Sequence, residues 1–432
     1  MKSNLSPTLF YNIYRWLIWP LLFLAFNTLA LFNPKIRQGL KMRAGQPWLK
    51  WTRGQKPVWI HCASGEFEYA KPVIRLLKSR FPETKILVTY FSPSVAQAAA
   101  KFQGVDFATP LPWERASDLK AFIQHHEPRA LLIARTDTWP EMLRQAKEAG
   151  IPSLLFSATL SAQSGRAKGL GRWASKAVFE NLDGIFCVTS DDALVFSELG
   201  FKDRTQVAGD TRYDQVMERL RNPKPIKESL FTGQNPNDIL VAGSSWPEDE
   251  AVLIELMVKD PELRLVLVPH EPTESHISSL TSLLAENKMT WIRYSQAATW
   301  PSETRVLIAD QIGILAELYE KGRFAFVGGS YRKTVHSVME PLAAGSLTFV
   351  GPLHTNNREA IEFKTIPISG EQGKRLTCVQ VATDASEFAG FLTEARSMSG
   401  DQIQAASQAI RVQIQKRSGK STAVVDWVAK YL

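Results

Sequence analysis

Short apolar runs alternate with stretches of helical period along most of the chain. Residues 57–60, 85–90, 105–108, 129–134, 153–156, 184–188 and 205–208 read as strands. Between them, residues 69–77, 92–102, 114–126 and 139–150 read as helices, with Ser92-Pro93-Ser94 as a start signal. Unbroken apolar strands separated by helices are the pattern of a parallel sheet covered on both faces. The alternation stops near Leu220, where Pro223, Pro225, Gly233 and Asn235-Pro236 mark a linker over 221–237. It restarts with apolar runs at 239–242, 263–268, 306–309, 324–327 and 347–350. The pattern predicts an α/β protein of two Rossmann-like, doubly wound lobes, 57–220 and 238–400, with a cleft between them. A helical tail over 401–432 is expected to pack near the lobe boundary.

Residues 1–56 follow another pattern. An apolar run from Trp16 to Phe32 is interrupted only by Pro20, Asn27 and Thr28, and seven basic residues from Lys35 to Lys56 follow it. The run is slightly short for a hydrocarbon core of about 30 Å, and no small-x-small cleavage site closes it. It predicts a membrane-anchoring helix, either a short span or a helix lying in the interface, with cytoplasmic anionic lipid against the basic residues. A helix simply buried in the protein fits the basic, tryptophan-rich flanks less well. Charge sharpens this division: the chain has 432 residues and a formal charge of +8, yet residues 1–65 alone hold nine lysines and arginines and no acid. The remaining body is nearly neutral, which argues against a nucleic-acid partner. Cys62, Cys187 and Cys378 are far apart, form no metal spacing and suggest buried, reduced thiols.

Polar clusters follow the strands. Glu66, the first acidic residue of the chain, follows the run 57–60 in the stretch His61-Cys62-Ala63-Ser64-Gly65-Glu66-Phe67-Glu68, with Ser64 or Gly65 as a candidate helix cap. That is the edge where open α/β sheets bind ligands. Phe326-Val327-Gly328-Gly329-Ser330 offers backbone N–H groups to a phosphate at a helix start, and His336 and Glu340 fall one helical turn apart beyond it. No G-x-G-x-x-G fingerprint is present, so a nicotinamide dinucleotide is disfavoured.

Six segments in order, namely 61–68, 209–214, 243–250, 269–272, 326–330 and 340–341, together with the amino-terminal anchor, resemble the 3-deoxy-D-manno-octulosonic acid (Kdo) transferases of lipopolysaccharide synthesis. The resemblance implies a GT-B type fold and inverting transfer of Kdo from CMP-Kdo to a lipid A precursor of the lipid IVA type. The reaction would take place at the cytoplasmic face of the bacterial inner membrane, with no metal or other cofactor. It places Glu66 as general base and Ser64, Gly65, Ser92, Arg135, Asp137 and Arg212 at the acceptor. It places Ser244, Ser245, His270, Glu271, Asp310, Gly328, Gly329, Ser330, His336, Glu340 and Asn356 at the donor. The chain departs from the family's pattern in a shorter Ser64-Gly65 turn, in Arg135 where an acid is common, and in Ser337 after His336. A related GT-B enzyme with another nucleotide sugar or lipid acceptor, or a paralogue that only binds, are the alternatives.

Overall fold

The computed structural model describes residues 6–368 and 376–432. Residues 1–5 of the expected anchor and 369–375 of the expected second lobe lie outside that range. Two compact units emerge, Met1–Gln215 with Arg417–Leu432, and Val216–Lys416.

In the first unit β1 (Val58–Cys62), β2 (Ile86–Tyr90), β3 (Phe107–Pro110), β4 (Ala130–Ala134), β5 (Ser153–Ala158), β6 (Gly184–Cys187) and β7 (Thr205–Val207) form one sheet. Its order is β3-β2-β1-β4-β5-β6-β7, and every pairing is parallel. Every residue of β1, β2, β4 and β5 is buried, because helices cover both faces. Chain direction across the sheet reverses between β1 and β4. That switch point is where the loops on either side diverge and leave room for a ligand.

The second unit repeats the plan. Its strands β8 (Ile239–Ser245), β9 (Arg264–Pro269), β10 (Trp291–Arg293), β11 (Val306–Ile308), β12 (Phe324–Val327), β13 (Leu347–Val350) and β14 (Val379–Val381) are also all parallel. They are ordered β10-β11-β9-β8-β12-β13-β14, with the switch point between β8 and β12. β10 and β14 were not legible as apolar runs. Both are three-residue edge strands, and β10 is only half-buried.

The tail divides. The helix Gly400–Arg417 belongs, up to Lys416, to the second unit, whereas Ser421–Ala429 packs on the first. Gly419, at φ +82°, breaks the helix between them. Val424, Val425 and Val428 share a core with Val73 and Ile74 of the helix Phe67–Arg80. The Asp214 carboxylate accepts N–H bonds from Gly419, Lys420 (3.3 Å) and Ser421 (2.6 Å), which fixes the start of that last helix.

The amino-terminal helix runs unbroken over Pro7–Ala30. A single π turn, Tyr14–Ile18, lies just ahead of Pro20, whose ring would otherwise press on the carbonyl four residues back. The expectation set aside a helix buried in the protein; the structure seats one face of it there. Phe10, Tyr11, Tyr14 and Trp19 join the core of the first unit. The Tyr14 hydroxyl donates to Glu114 (3.0 Å), and Arg15 clasps Glu141 through two bonds of 2.9 and 2.5 Å. Glu114, expected to open a helix, precedes one that starts at Ala116. Its buried carboxylate instead accepts the N–H groups of Glu141 and Met142 at the start of the helix Pro140–Glu148. Those are donors that a helix end cannot satisfy by itself. The opposite face leaves Trp16, Leu17, Leu21, Leu24 and Leu29 in solvent, followed by Leu31 and Phe32 just beyond the helix.

His126 ends the helix Ala116–His126 and is fully buried among Trp48, Trp51, Phe107 and Phe122, with no hydrogen bond to either ring nitrogen among the described residues. Burial lowers its pKa from 6.5 to about 4. The unfolded chain therefore takes up a proton in that window that the folded chain refuses, so stability falls as pH drops through it. His126→Phe is expected to flatten the fall in thermal midpoint of the first unit between pH 6.5 and 4, measured by scanning calorimetry.

Candidate active site

In the first unit the expected acceptor residues gather at the carboxyl ends of β1, β2 and β4 and after β7. Neither Ser64 nor Gly65 caps the following helix through a side chain. Glu66 itself occupies the N-cap position, and its Oε2 turns back to accept the Ser64 N–H at 2.9 Å. Among the described residues the carboxylate has no other hydrogen bond, so it stays available to a hydroxyl. The neighbouring loop is tied to this turn: Phe91 and Ser92 both donate N–H bonds to the Ala63 carbonyl, at 3.0 and 2.8 Å. Ser92 also caps the helix Pro93–Lys101, as expected from its sequence.

Asp137, after β4, is oriented from below by a histidine that sequence reasoning passed over. Thr89 bonds to His61 Nδ1 (2.9 Å), and His61 Nε2 donates to Asp137 Oδ2 (2.8 Å). The indole N–H groups of Trp59 and Trp139 donate to Thr89 and Asp137. His61 was concealed because it lies within a strand that is buried throughout. Burial raises the Cys62 thiol well above its usual pKa, and the charges of Glu66 and Asp137 raise it further. Both carboxylates thus bear on one point at the end of β1, and Cys62 is an inert thiol. Arg135 (φ +68°) and Arg212 lie 5.7 and 4.6 Å from the centre of the Tyr69 ring, one turn beyond Glu66. Arg212 is also paired with Asp210 at 2.8 Å. A carboxylate able to accept a proton, with two arginines against the Tyr69 ring one turn away, suits an anionic substrate bearing a hydroxyl.

In the second unit, Ser244 near the end of β8 and Gly328 just after β12 meet at the switch point. A side chain at Gly328 would bring its Cβ within 2.2 Å of the Ser244 carbonyl, so glycine is required where these loops touch. Two of the N–H groups expected to hold a phosphate, those of Gly328 and Gly329, are engaged within the protein. Gly328 donates to the Gly243 carbonyl (2.9 Å), and Gly329 and Tyr331 donate to the Asp249 carboxylate at 2.7 and 3.0 Å. The Ser330 hydroxyl is buried between the Val327 carbonyl and the Gly351 N–H, and Ser245 donates to Glu250. These residues shape the loop rather than present free donors.

His336 and Glu340 do not share a helix. The helix Met339–Ala344 begins after His336, and residues 334–338 are irregular. Two asparagine side chains satisfy the backbone that a helix would otherwise have satisfied: Asn356 clasps Val335 through its N–H and carbonyl, and Asn357 donates to the His336 carbonyl. What the loop builds is a stack. Trp246 lies on His270 (4.8 Å between ring centres), His270 lies on His336 (4.3 Å), and Arg332 covers Trp246 at 3.9 Å. Trp246 donates its indole N–H to His336 Nε2 (3.1 Å), so the neutral ring carries its proton on Nδ1. Burial and neighbouring His270 lower the His336 pKa to about 4. Glu271 lines an adjacent pocket of about 220 Å³ with Trp246, Glu248, His276 and Arg332. Asp310 sits apart, accepting from the backbone and hydroxyl of Ser295. Among the described residues no three His, Cys, Asp or Glu side chains gather as metal ligands. Sequence reasoning missed Trp246, Asp249 and Arg332, although Asp249 lies in the helix-start signal Trp246-Pro247-Glu248-Asp249.

Two units of this topology define the class as GT-B type α/β proteins. The UDP-GlcNAc 2-epimerase from Neisseria meningitidis, solved bound to UDP-GlcNAc, shares the fold at a TM-score of 0.59 and 16% identity, covering 86% of this chain and 99% of that one. Within the class, residues 38–215 match the family model described as 3-Deoxy-D-manno-octulosonic-acid transferase (kdotransferase). The 3-deoxy-D-manno-octulosonic acid transferase of Haemophilus influenzae is 26% identical over 370 residues, or 84% of this chain and 86% of that protein. Its counterpart in Aquifex aeolicus is 27% identical over 313 residues, or 71% and 79%. The chain is thus similar to Kdo transferases over most of its length, and in its first unit to their family model.

Asp249 is fully buried, and desolvation raises its pKa against the opposing effect of its three N–H donors, the third being Trp246 at 3.0 Å. Asp249→Ala leaves those donors unsatisfied, and a cost of about 3 kcal/mol or more is expected. Hydrogen exchange at the Gly329 and Tyr331 amides, accelerated in the variant, is the measurement that checks it; Asp249→Asn keeps one accepting oxygen and is expected to protect only one of the two, because they donate to different oxygens.

Proposed function

We propose that the protein transfers Kdo from CMP-Kdo to a primary hydroxyl of a lipid A precursor of the lipid IVA type. The observation that carries this reading is the carboxylate of Glu66, with a single hydrogen bond among the described residues, at the switch point of the unit that matches the Kdo-transferase family model. Glu66 takes the proton of the acceptor hydroxyl as its oxygen attacks the anomeric carbon. The new C–O bond forms as the bond to the CMP phosphate breaks, on the opposite face, so the centre inverts. Asp137, held in one orientation by His61 and Trp139, positions the acceptor sugar, and Arg135 and Arg212 meet its negative groups. The second unit binds the donor: the His336 Nδ1–H and the guanidinium of Arg332 are its candidate donors to the departing phosphate, and Glu340 is assigned to ribose. Glu66→Ala is expected to lose about a hundredfold or more in kcat, followed as CMP release and lipid product together. A wild-type-like rate would remove Glu66 as the base.

The same reading puts the protein on the cytoplasmic face of the inner membrane. The solvent-facing side of the helix Pro7–Ala30 is apolar, and the following helix Pro34–Arg43 carries Lys35, Arg37 and Lys41 on its exposed surface. Because the other side is docked on the first unit, the helix lies along the membrane surface. Replacing Leu21, Leu24 and Phe32 by serine spares the docked face. It is expected to shift the protein toward the soluble fraction in vesicle flotation, with residual binding lost as salt rises. Unchanged flotation would place the contact elsewhere.

A further inference from the structure

A groove of about 150 Å³ lies among the helices Trp19–Ala30 and Pro34–Arg43, the loop after β2, and Trp113. No step of the transfer uses it. Phe26, Ile36, Leu40, Phe91 and Trp113 line it. The one guanidinium in its wall, Arg43, is already engaged within the protein. That group donates to the carbonyls of Leu111 (3.1 Å), Gly39 (3.0 Å) and Phe91 (2.9 Å), and its face lies on the Phe91 and Trp113 rings. A volume of about 150 Å³ matches that of a benzene-sized hydrocarbon, which corresponds to a segment of about six carbons.

Two features identify the occupant. Ser92 and Phe91, which form one wall, bond directly to the Ala63 carbonyl at the head of the Glu66 turn, so the groove adjoins the candidate acceptor site. Its rim carries exposed Lys35, with Arg37 and Lys41 on the same helix, and no acid occurs anywhere in residues 1–65. A hydrocarbon slot beside a base and beneath a purely cationic rim complements an acylated, phosphorylated sugar. We propose that this groove holds an acyl chain of the lipid acceptor and thereby sets the sugar's position at Glu66. The proposal rests on the acylated-acceptor reading above.

Gly39 and Ile36 provide the test. A Cβ on Gly39 meets only ordinary contacts, 3.6 Å to Arg43 Nη1 and 3.7 Å to Pro93 Cγ, so Gly39→Leu adds bulk to the groove without forcing the backbone. Ile36→Trp fills it from the other helix position. Turnover of CMP-Kdo is measured with the acylated disaccharide phosphate and with its fully deacylated counterpart. In either variant the ratio of kcat/KM for the two acceptors is expected to fall about tenfold or more, as burial of about two methylenes is lost. An unchanged ratio in both overturns the proposal. A second readout is independent of transfer: an acylated glucosamine phosphate with a diazirine in its chain should label the peptides containing Ile36 or Trp113. Acylated disaccharide phosphate should compete, and phosphatidylglycerol should not. Labelling there without any Kdo transfer supports the groove and removes the sugar assignment; equal competition by phosphatidylglycerol, or labelling elsewhere, overturns the acceptor as occupant.

Discussion

Burial of both faces of a parallel sheet is the constraint on which the rest of the structure depends. A strand such as β1, covered throughout, has no room for an unpaired charge, so reactive groups must wait until the strand ends. Right-handed crossovers return every strand in the same direction, which collects those ends on one edge. The reversal of strand order then opens that edge at one place in each unit, beside β1 and β4 in the first and β8 and β12 in the second. Glu66, Asp137, Ser244 and Gly328 are all found at these places. His61 is the instructive exception: it lies inside the strand, fully buried, and is accommodated because both ring nitrogens are bonded.

The two units use buried acids differently. Asp249 is committed to backbone N–H groups and gives the Gly328–Tyr331 loop its shape. Glu114 does the same for a helix start in the first unit, and burial raises its pKa to about 8. Glu66 is the contrast, held by a single N–H from Ser64 and otherwise open. Carboxylates that build and a carboxylate left open are thus distinguished by how many donors each has been given. A fully satisfied carboxylate has little capacity left for a substrate proton.

The amino-terminal helix answers to two environments. Aromatic side chains at helical spacing, Phe10, Tyr14 and the later Trp19, settle into the first unit, while leucines on the other side remain uncovered. Burying one side of a hydrophobic helix and exposing the other leaves an apolar surface continuous with the protein body. Arg15 with Glu141 and Tyr14 with Glu114 give the docked side a direction and a register that apolar contact alone does not supply.

Local patterning was enough to determine the architecture. Two series of apolar strands, the break near Leu220 and the cap at Ser92 are properties of neighbouring residues, and chain-local physics decides them. The place of Glu66 after the first strand was legible for the same reason. What the sequence left open depends on groups that meet only after folding. Whether a glycine-rich turn presents its N–H groups or gives them to Asp249 is decided 80 residues away along the chain. The irregular run around His336 exists because Asn356 and Asn357 stand ready to satisfy it. The amino-terminal helix reads as a membrane element from hydropathy, yet Glu114 and Glu141, 100 and 126 residues beyond their partners Tyr14 and Arg15, seat half of it on the protein. Periodicity records which residues avoid water; only the tertiary structure decides which surface they find.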